Sequence, residues 1–275
     1  METKIILITG STDGIGRQAA LELAKTGVTV LVHGRSATRG KIVLEQIRRE
    51  SRNDNLGLFI ADFASLKQVR QMADEIVQKH ARLDVLVNNA GIYMKQRQLT
   101  EDGFETTFAV NHLAPFLLTN LLLNLLKQSA PSKIINVSSM AHQGSRLDFD
   151  NLQGEKHYAP YEAYSTSKLA NLLFNYELAR RLDNTGVTVN ALHPGVIATK
   201  MLKASFGSFG GSPVEEGATR IAYLIGNPAT ETVSGKYFLK DKEQTSSPLS
   251  RDKELQQRFW QFSERLVELN SGKGD

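Results

Sequence analysis

The chain contains no cysteine, which excludes disulfides and thiolate metal ligands together. Its six histidines show no ligand spacing, so no metal site is expected. Neither sign of charge dominates: 33 Lys and Arg stand against 29 Asp and Glu, a net charge of +4. The two signs are interleaved, and no nucleic-acid partner is expected. Long apolar runs are missing too. The greasiest stretch, residues 113–126, is interrupted by Thr119, Asn120 and Asn124 and is too short to cross a bilayer; it reads as a core helix. No leader-like segment precedes Lys4, where the first strand pattern begins. The expectation is a soluble, cytoplasmic protein with no transmembrane segment. No internal repeat, low-complexity tract or linker divides the chain, so residues 1–275 are expected to form a single domain.

What is present suits such a domain. At 275 residues, 41% hydrophobic and 23% charged, the chain can bury a large core unaided. Ile5-Ile6-Leu7-Ile8 is a continuous apolar run, the pattern of a strand covered on both faces. Further strands are expected at 28–33, 56–61, 83–87, 133–137, 187–192 and 235–239. Helices are expected at 17–25, 38–49, from about 65, around 113–126, and at 161–182, 213–225 and 251–269. The alternation predicts an α/β fold: a doubly wound, mostly parallel sheet of seven strands with helices on both faces.

Between the first strand and first helix lies Thr9-Gly10-Ser11-Thr12-Asp13-Gly14-Ile15-Gly16. Glycines there let backbone approach a pyrophosphate, and the helix start offers free N–H groups and a positive dipole end. The second strand ends in His33-Gly34-Arg35-Ser36. An acid at this place holds ribose hydroxyls, whereas arginine suits a 2′-phosphate. Arg35 with Ser36, and Arg17 just past the loop, therefore favour NADP(H), with NAD(H) as the second choice. The third strand runs into Asp62-Phe63; Asp62 can meet an adenine amino group or cap the next helix. The fourth ends in Asn88-Asn89-Ala90-Gly91, a turn whose amides can tie strands together. Asn111 interrupts an apolar helix, where it can disturb the ladder and anchor a water for proton relay, or simply kink it.

Tyr164-Ser165-Thr166-Ser167-Lys168 supplies the chemistry. On a helix Tyr164 and Lys168 share one face. A nearby ammonium favours phenolate, so the phenol is expected to titrate below its usual value of about 10 and to act as a general acid or base. Ser138 and Ser139 close the fifth strand, where a hydroxyl can hold an oxygen as charge develops.

The glycine loop, Asn88-Asn89-Ala90-Gly91, Asn111, Ser139, Tyr164-x-x-x-Lys168 and Pro194-Gly195, taken in this order, resemble the short-chain dehydrogenase/reductase family over essentially the whole chain. The resemblance implies a Rossmann fold and a catalytic tetrad of Asn111, Ser139, Tyr164 and Lys168. It also implies that Asp62 meets the adenine, Asn89 the adenosine ribose, Lys168 the nicotinamide ribose and Thr199 the carboxamide. With the residue-level readings, the coenzyme set becomes Gly10, Ser11, Thr12, Asp13, Gly14, Ile15, Gly16, Arg35, Ser36, Asp62, Phe63, Asn89, Ala90, Gly91, Tyr164, Lys168, Pro194, Gly195, Ile197 and Thr199. Within the family, Asn151-Leu152-Gln153-Gly154-Glu155-Lys156 and Ser167-Lys168-Leu169-Ala170-Asn171 resemble the branch of retinol dehydrogenases and the WW-domain-containing oxidoreductase.

The expected activity is hydride transfer between NADP(H) and a carbonyl–alcohol pair, with a lipophilic small-molecule substrate. Substrate loops are expected at about 140–163 and 196–213. Within them Leu147, Phe149, Leu152 and Tyr158, and Met201, Leu202, Phe206 and Phe209, are set to form a lid or to pack between helices. Homo-oligomers through the helices at 113–127 and 161–182 are the family's habit. Two other readings stand beside this one: a regulatory protein that binds NADP without turnover, and a nucleotide-sugar epimerase using the same Tyr–Lys pair.

Overall fold

The structure is a computed structural model that describes residues 3–207 and 210–269. In chain order its strands are β1 (Ile5–Ile8), β2 (Thr29–Gly34), β3 (Leu56–Ile60), β4 (Val85–Asn88), β5 (Ser132–Val137), β6 (Val187–His193), β7 (Lys236–Leu239) and β8 (Lys242–Gln244). The helices are α1 (Gly14–Ala24), α2 (Ala37–Ser51), α3 (Leu66–Lys79), α4 (Thr106–Phe108), α5 (Ala114–Gln128), α6 (Pro160–Arg181), α7 (Lys200–Phe206), α8 (Val214–Gly226), α9 (Pro248–Arg251) and α10 (Lys253–Leu266).

All strands lie in one sheet of order β3-β2-β1-β4-β5-β6-β7-β8. Every pairing is parallel except the last. Successive residues of the apolar strands face opposite ways, and two cores result. Ile6, Ile8, Val30, Val32, Val85 and Val87 pack with α1, α2 and α8. Leu7, Leu31, Leu86 and Ile134 pack with α3, α5, α6 and α10. Strand order reverses between β1 and its two neighbours, β2 and β4, which opens a crevice at their C-terminal ends.

The sheet has eight strands where the sequence predicts seven. The extra one, β8, pairs antiparallel with β7 through a tight turn in which Lys240 and Asp241 both have positive φ. Its residues Lys242, Glu243 and Gln244 are all exposed, so no apolar alternation announces it. The helix expected over 251–269 is α10, which Asp252 caps through the N–H groups of Glu254 and Leu255; the short α9 precedes it.

Helix α10 lies across α5 and α6. Trp260 sits 4.9 Å from Phe116 of α5 and 5.8 Å from Phe174 of α6, ring centre to ring centre, with the Arg181 guanidinium 4.2 Å over it. Those faces of α5 and α6 are therefore inside the protein. The stretch Thr106–Gln128 is apolar and long enough to cross a membrane by composition, but 78% of its most apolar window is buried in the core.

Candidate active site

The glycine loop leaves β1 and enters α1 under tight constraint. Gly10 has φ +64°, and a Cβ there would stand 2.8 Å from Ala90 Cα. At Gly16 a Cβ would come within 2.4 Å of Asn89 Nδ2 and 2.7 Å of the Gly10 carbonyl oxygen. Asn89 Nδ2 itself donates to Thr9 O at 2.8 Å and to Gly10 O at 3.3 Å. That amide ties β4 to the loop rather than pointing free into the crevice. The neighbouring Asn88 begins a buried chain: its Nδ2 donates to Asn136 Oδ1 at 2.9 Å, and Asn136 Nδ2 to Asn175 Oδ1 at 3.1 Å. Side-chain amides thus join β4, β5 and α6, as the turn-and-tie reading of these asparagines expects.

His33, silent in the sequence, fixes the loop from β2. Its Nδ1 accepts the Gly10 N–H at 3.0 Å and its Nε2 donates to Ala61 O at 3.1 Å. Burial pushes its pKa down to about 4, so the ring is neutral at ordinary pH, as an acceptor at Nδ1 must be. Phe63 stacks on it at 4.4 Å. The Phe63 side chain therefore belongs to the core rather than to a coenzyme surface. Asp62 does not cap α3; its Oδ1 accepts the Ala64 N–H at 3.0 Å, and Ser65 takes the cap by accepting from Gln68.

At the β2 end Arg35 is exposed and has no hydrogen-bond or ion-pair partner among the described residues. Ser36 caps α2. Arg17 is not available in the same way, since its guanidinium meets Glu50 at 3.4 Å. A basic residue that the sequence reading overlooked stands closer: Arg39, on the first turn of α2, donates to Thr12 O at 3.2 Å and pairs with Asp13 at 2.8 Å. Its place on the first turn of α2, just past Ser36, was the available signal. Asp13 caps α1 and also takes Lys200 at 3.2 Å. Burial works against its ionisation, but the Lys200 and Gly14 hydrogen bonds and both cations outweigh that and hold its pKa below the usual value.

On the opposite wall, the Pro194 carbonyl accepts from the guanidinium of Arg220 of α8. Gly195 has φ +103° beneath that guanidinium, where a side chain would collide. No motif marks Arg220. Ile197 pairs with Ser212 in a short bridge, and Thr199 caps α7 with its methyl beside Gly14. The loop expected at about 196–213 thus contains a short helix, α7.

The four catalytic candidates converge at the ends of β4 and β5. The Ser139 hydroxyl faces that of Tyr164 and favours its ionised form, whereas Ser138 Oγ is turned to the Lys168 carbonyl at 2.9 Å. Asn111 lies in a π-helical turn, Ala109–Leu113; its amide brackets Ile92, accepting from N at 2.7 Å and donating to O at 3.0 Å, and reaches Ser167 Oγ at 2.9 Å. Lys168 is 4% exposed and its Nζ donates to Val137 O at 3.1 Å.

The expected lowering of the phenol pKa is overturned. Burial raises Tyr164 to about 12, and the Ser139 hydrogen bond opposes this only in part. Lys168 does not set the value: its Nζ is 5.6 Å from the ring centre and directed at a carbonyl. Burial pushes Lys168 itself down to about 8. Both groups are driven toward their neutral forms.

The lid residues divide. Leu147, Phe149 and Leu152 pack into the core, with Phe149 5.5 Å from Phe262 of α10, so these three are packing between helices. Tyr158 OH donates to Met94 O at 3.0 Å and stitches the insert to the segment after β4. Among the described residues of the two expected loops, 140–163 and 196–213, the large apolar side chains left exposed are Met140, Tyr161, Val196 and Met201, between 36% and 52%. Leu202 is half-buried; Phe209 and the side chain of Phe206 lie outside the described residues.

A family model for short chain dehydrogenases matches residues 4–207, and with the fold and glycine loop in place, the chain belongs to that family of oxidoreductases. Among its relatives, human retinol dehydrogenase 14 is 43% identical over 98% of this chain and 88% of its own length, which puts the chain in the retinol dehydrogenase-like branch. Among solved structures, an uncharacterised protein of Mycobacterium paratuberculosis matches with TM-score 0.80 and 30% identity, over 96% of this chain and 93% of that one. A short chain dehydrogenase of Escherichia coli CFT073 complexed with NADPH matches with TM-score 0.73 and 26% identity, over 88% and 98%.

Proposed function

We propose that the protein is an NADP(H)-dependent oxidoreductase that interconverts a lipophilic carbonyl compound and its alcohol, with Tyr164 as the proton donor and acceptor. The observation that carries this is the Ser139–Tyr164 hydroxyl pair beside a buried ammonium. Among the described residues, Lys168 Nζ has one acceptor, Val137 O. Two of its N–H groups are unspent, which suits a ribose diol. The free Arg35, with Arg39 at the same mouth, suits a 2′-phosphate, in keeping with the NADPH-bound relative. The N–H groups at the start of α1 suit the diphosphate.

When bound, the nicotinamide coenzyme would supply or accept the hydride. Tyr164, held protonated by burial, gives its proton to the carbonyl oxygen in reduction, and Ser139 hydrogen-bonds that oxygen as charge develops. Lys168 would hold the ribose, and Asn111 would position the water that returns a proton. In the alcohol-to-carbonyl direction Tyr164 first gives its proton to the relay water, and the resulting phenolate accepts the hydroxyl proton of the alcohol.

The exposed apolar side chains of Met140, Tyr161, Val196 and Met201 support a lipophilic substrate, as does likeness to retinol dehydrogenases. The test mixes protein and NADPH with retinal and a panel of quinones, ketones and aldehydes, following loss of NADPH absorbance. Turnover of at least one is expected, faster than with NADH. Binding of NADPH with no turnover across the panel would favour the regulatory reading instead.

A further inference from the structure

Asn111 is aimed by an unusual piece of helix. The π-turn Ala109–Leu113 puts its amide against Ile92 and Ser167, and such turns persist where surrounding structure holds them. The next residue, His112, is gripped from the other side. It is 1% exposed, with the rings of Phe259, Phe108, Phe116 and Phe174 at 4.9, 5.4, 5.8 and 6.3 Å. Within this apolar cage its Nε2 lies 2.8 Å from Ser263 Oγ.

Ser263 Oγ spends its own hydrogen on the Phe259 carbonyl at 2.9 Å, so it accepts from His112 and the imidazole proton sits on Nε2. Burial pushes the pKa of His112 down to about 3, with the Asn171 side chain opposing, so the ring stays neutral. Ser263 belongs to α10, 151 residues further along the chain. The side chain directly after Asn111 is therefore hydrogen-bonded to the last described helix.

We infer that His112 is a positioning residue: its hydrogen bond to Ser263 lets helix α10 hold the π-turn, and through it Asn111, in the geometry that turnover needs. The inference rests on the reading of Asn111 as a member of the catalytic group. A purely packing role for His112 would lower stability without acting through Asn111. A positioning role ties the two effects together.

The experiment compares Ser263→Ala, Asn111→Ala and the double variant with wild type, reading kcat, KM for NADPH and hydrogen exchange at the Ile92 amide. That amide donates to Asn111 Oδ1. Ser263→Ala is expected to lower kcat about tenfold with KM for NADPH within about twofold, and to speed exchange at Ile92 about tenfold while Leu31 in the sheet is unchanged. In the Asn111→Ala background Ser263→Ala should cost nothing further, because the group it positions is gone. Ser263→Thr, which keeps the hydroxyl, should stay near wild type. Unchanged Ile92 exchange, a kcat loss that adds fully to that of Asn111→Ala, or a Thr variant as impaired as Ala would each overturn the inference. If Asn111→Ala alone kept wild-type kcat, the catalytic reading of Asn111 would fail, and Ile92 exchange would still decide whether α10 holds the turn.

Discussion

Lys168 directs its ammonium to the Val137 carbonyl at 3.1 Å, past the ring of Tyr164. The burial that pins it there also lowers its pKa to about 8, which gives coenzyme binding a pH dependence. Below about pH 8 the ammonium is charged and can donate to a ribose; above it the free protein binds with a neutral amine. NADPH affinity, read by fluorescence titration, is therefore expected to weaken severalfold between pH 7 and 9.5. In Lys168→Arg, whose guanidinium stays charged across this range, that slope should flatten. An equal slope in both proteins would show that another group titrates.

Tyr164→Phe removes the hydroxyl and keeps the ring that packs 5.7 Å from Tyr93. Turnover should fall by roughly two to four orders of magnitude, the usual contribution of a positioned proton donor. NADPH affinity should stay within about threefold, because no coenzyme contact is assigned to that oxygen alone. A variant with near wild-type rates on a confirmed substrate would end the assignment.

These expectations show where sequence reasoning reached and where it stopped. The strands declared themselves as continuous apolar runs because parallel strands are covered on both faces, and Leu7 and Ile8 now lie in opposite cores. Tyr164 and Lys168 were legible because a four-residue helical spacing fixes a shared face. Local spacing does not set a pKa, however. The phenol's rise to about 12 comes from burial by segments distant in sequence. Strand β8 was hidden because its residues are polar and exposed. Whether Leu147, Phe149 and Leu152 form a lid or pack between helices stayed open in the sequence, because their partners, on α10 and in the core, are far along the chain. Arg220, whose guanidinium holds the Pro194 carbonyl, had no spacing to betray it.

Gly16 can be tested directly. A Cβ at this position would meet the Gly10 carbonyl oxygen at 2.7 Å and Asn89 Nδ2 at 2.4 Å, so loop or β4 turn must shift. Gly16→Ala should lower stability by about 1–3 kcal/mol, the range for forced overpacking, and should weaken NADPH binding as well. Denaturant unfolding and NADPH titration on one preparation check both. Full stability with full affinity would mean the loop yields more easily than its contacts indicate.

His33 carries the last prediction, and its sign follows from its burial. The folded pKa is about 4 against 6.5 in a free side chain. Between those values the unfolded chain takes up a proton that the folded protein refuses. Its contribution to stability is thus complete above pH 6.5 and falls as pH drops toward 4. The full span is worth roughly 3 kcal/mol for this one group. His193, also driven down to about 4 by burial, adds to the same loss. His33→Gln should be less stable than wild type at pH 7, since the bonds to Gly10 N and Ala61 O are disturbed, but should lose about 2 kcal/mol less between pH 7 and 5. Urea unfolding at the two pH values measures the difference. Parallel losses in both proteins would mean that the imidazole does not stay neutral against the glycine loop.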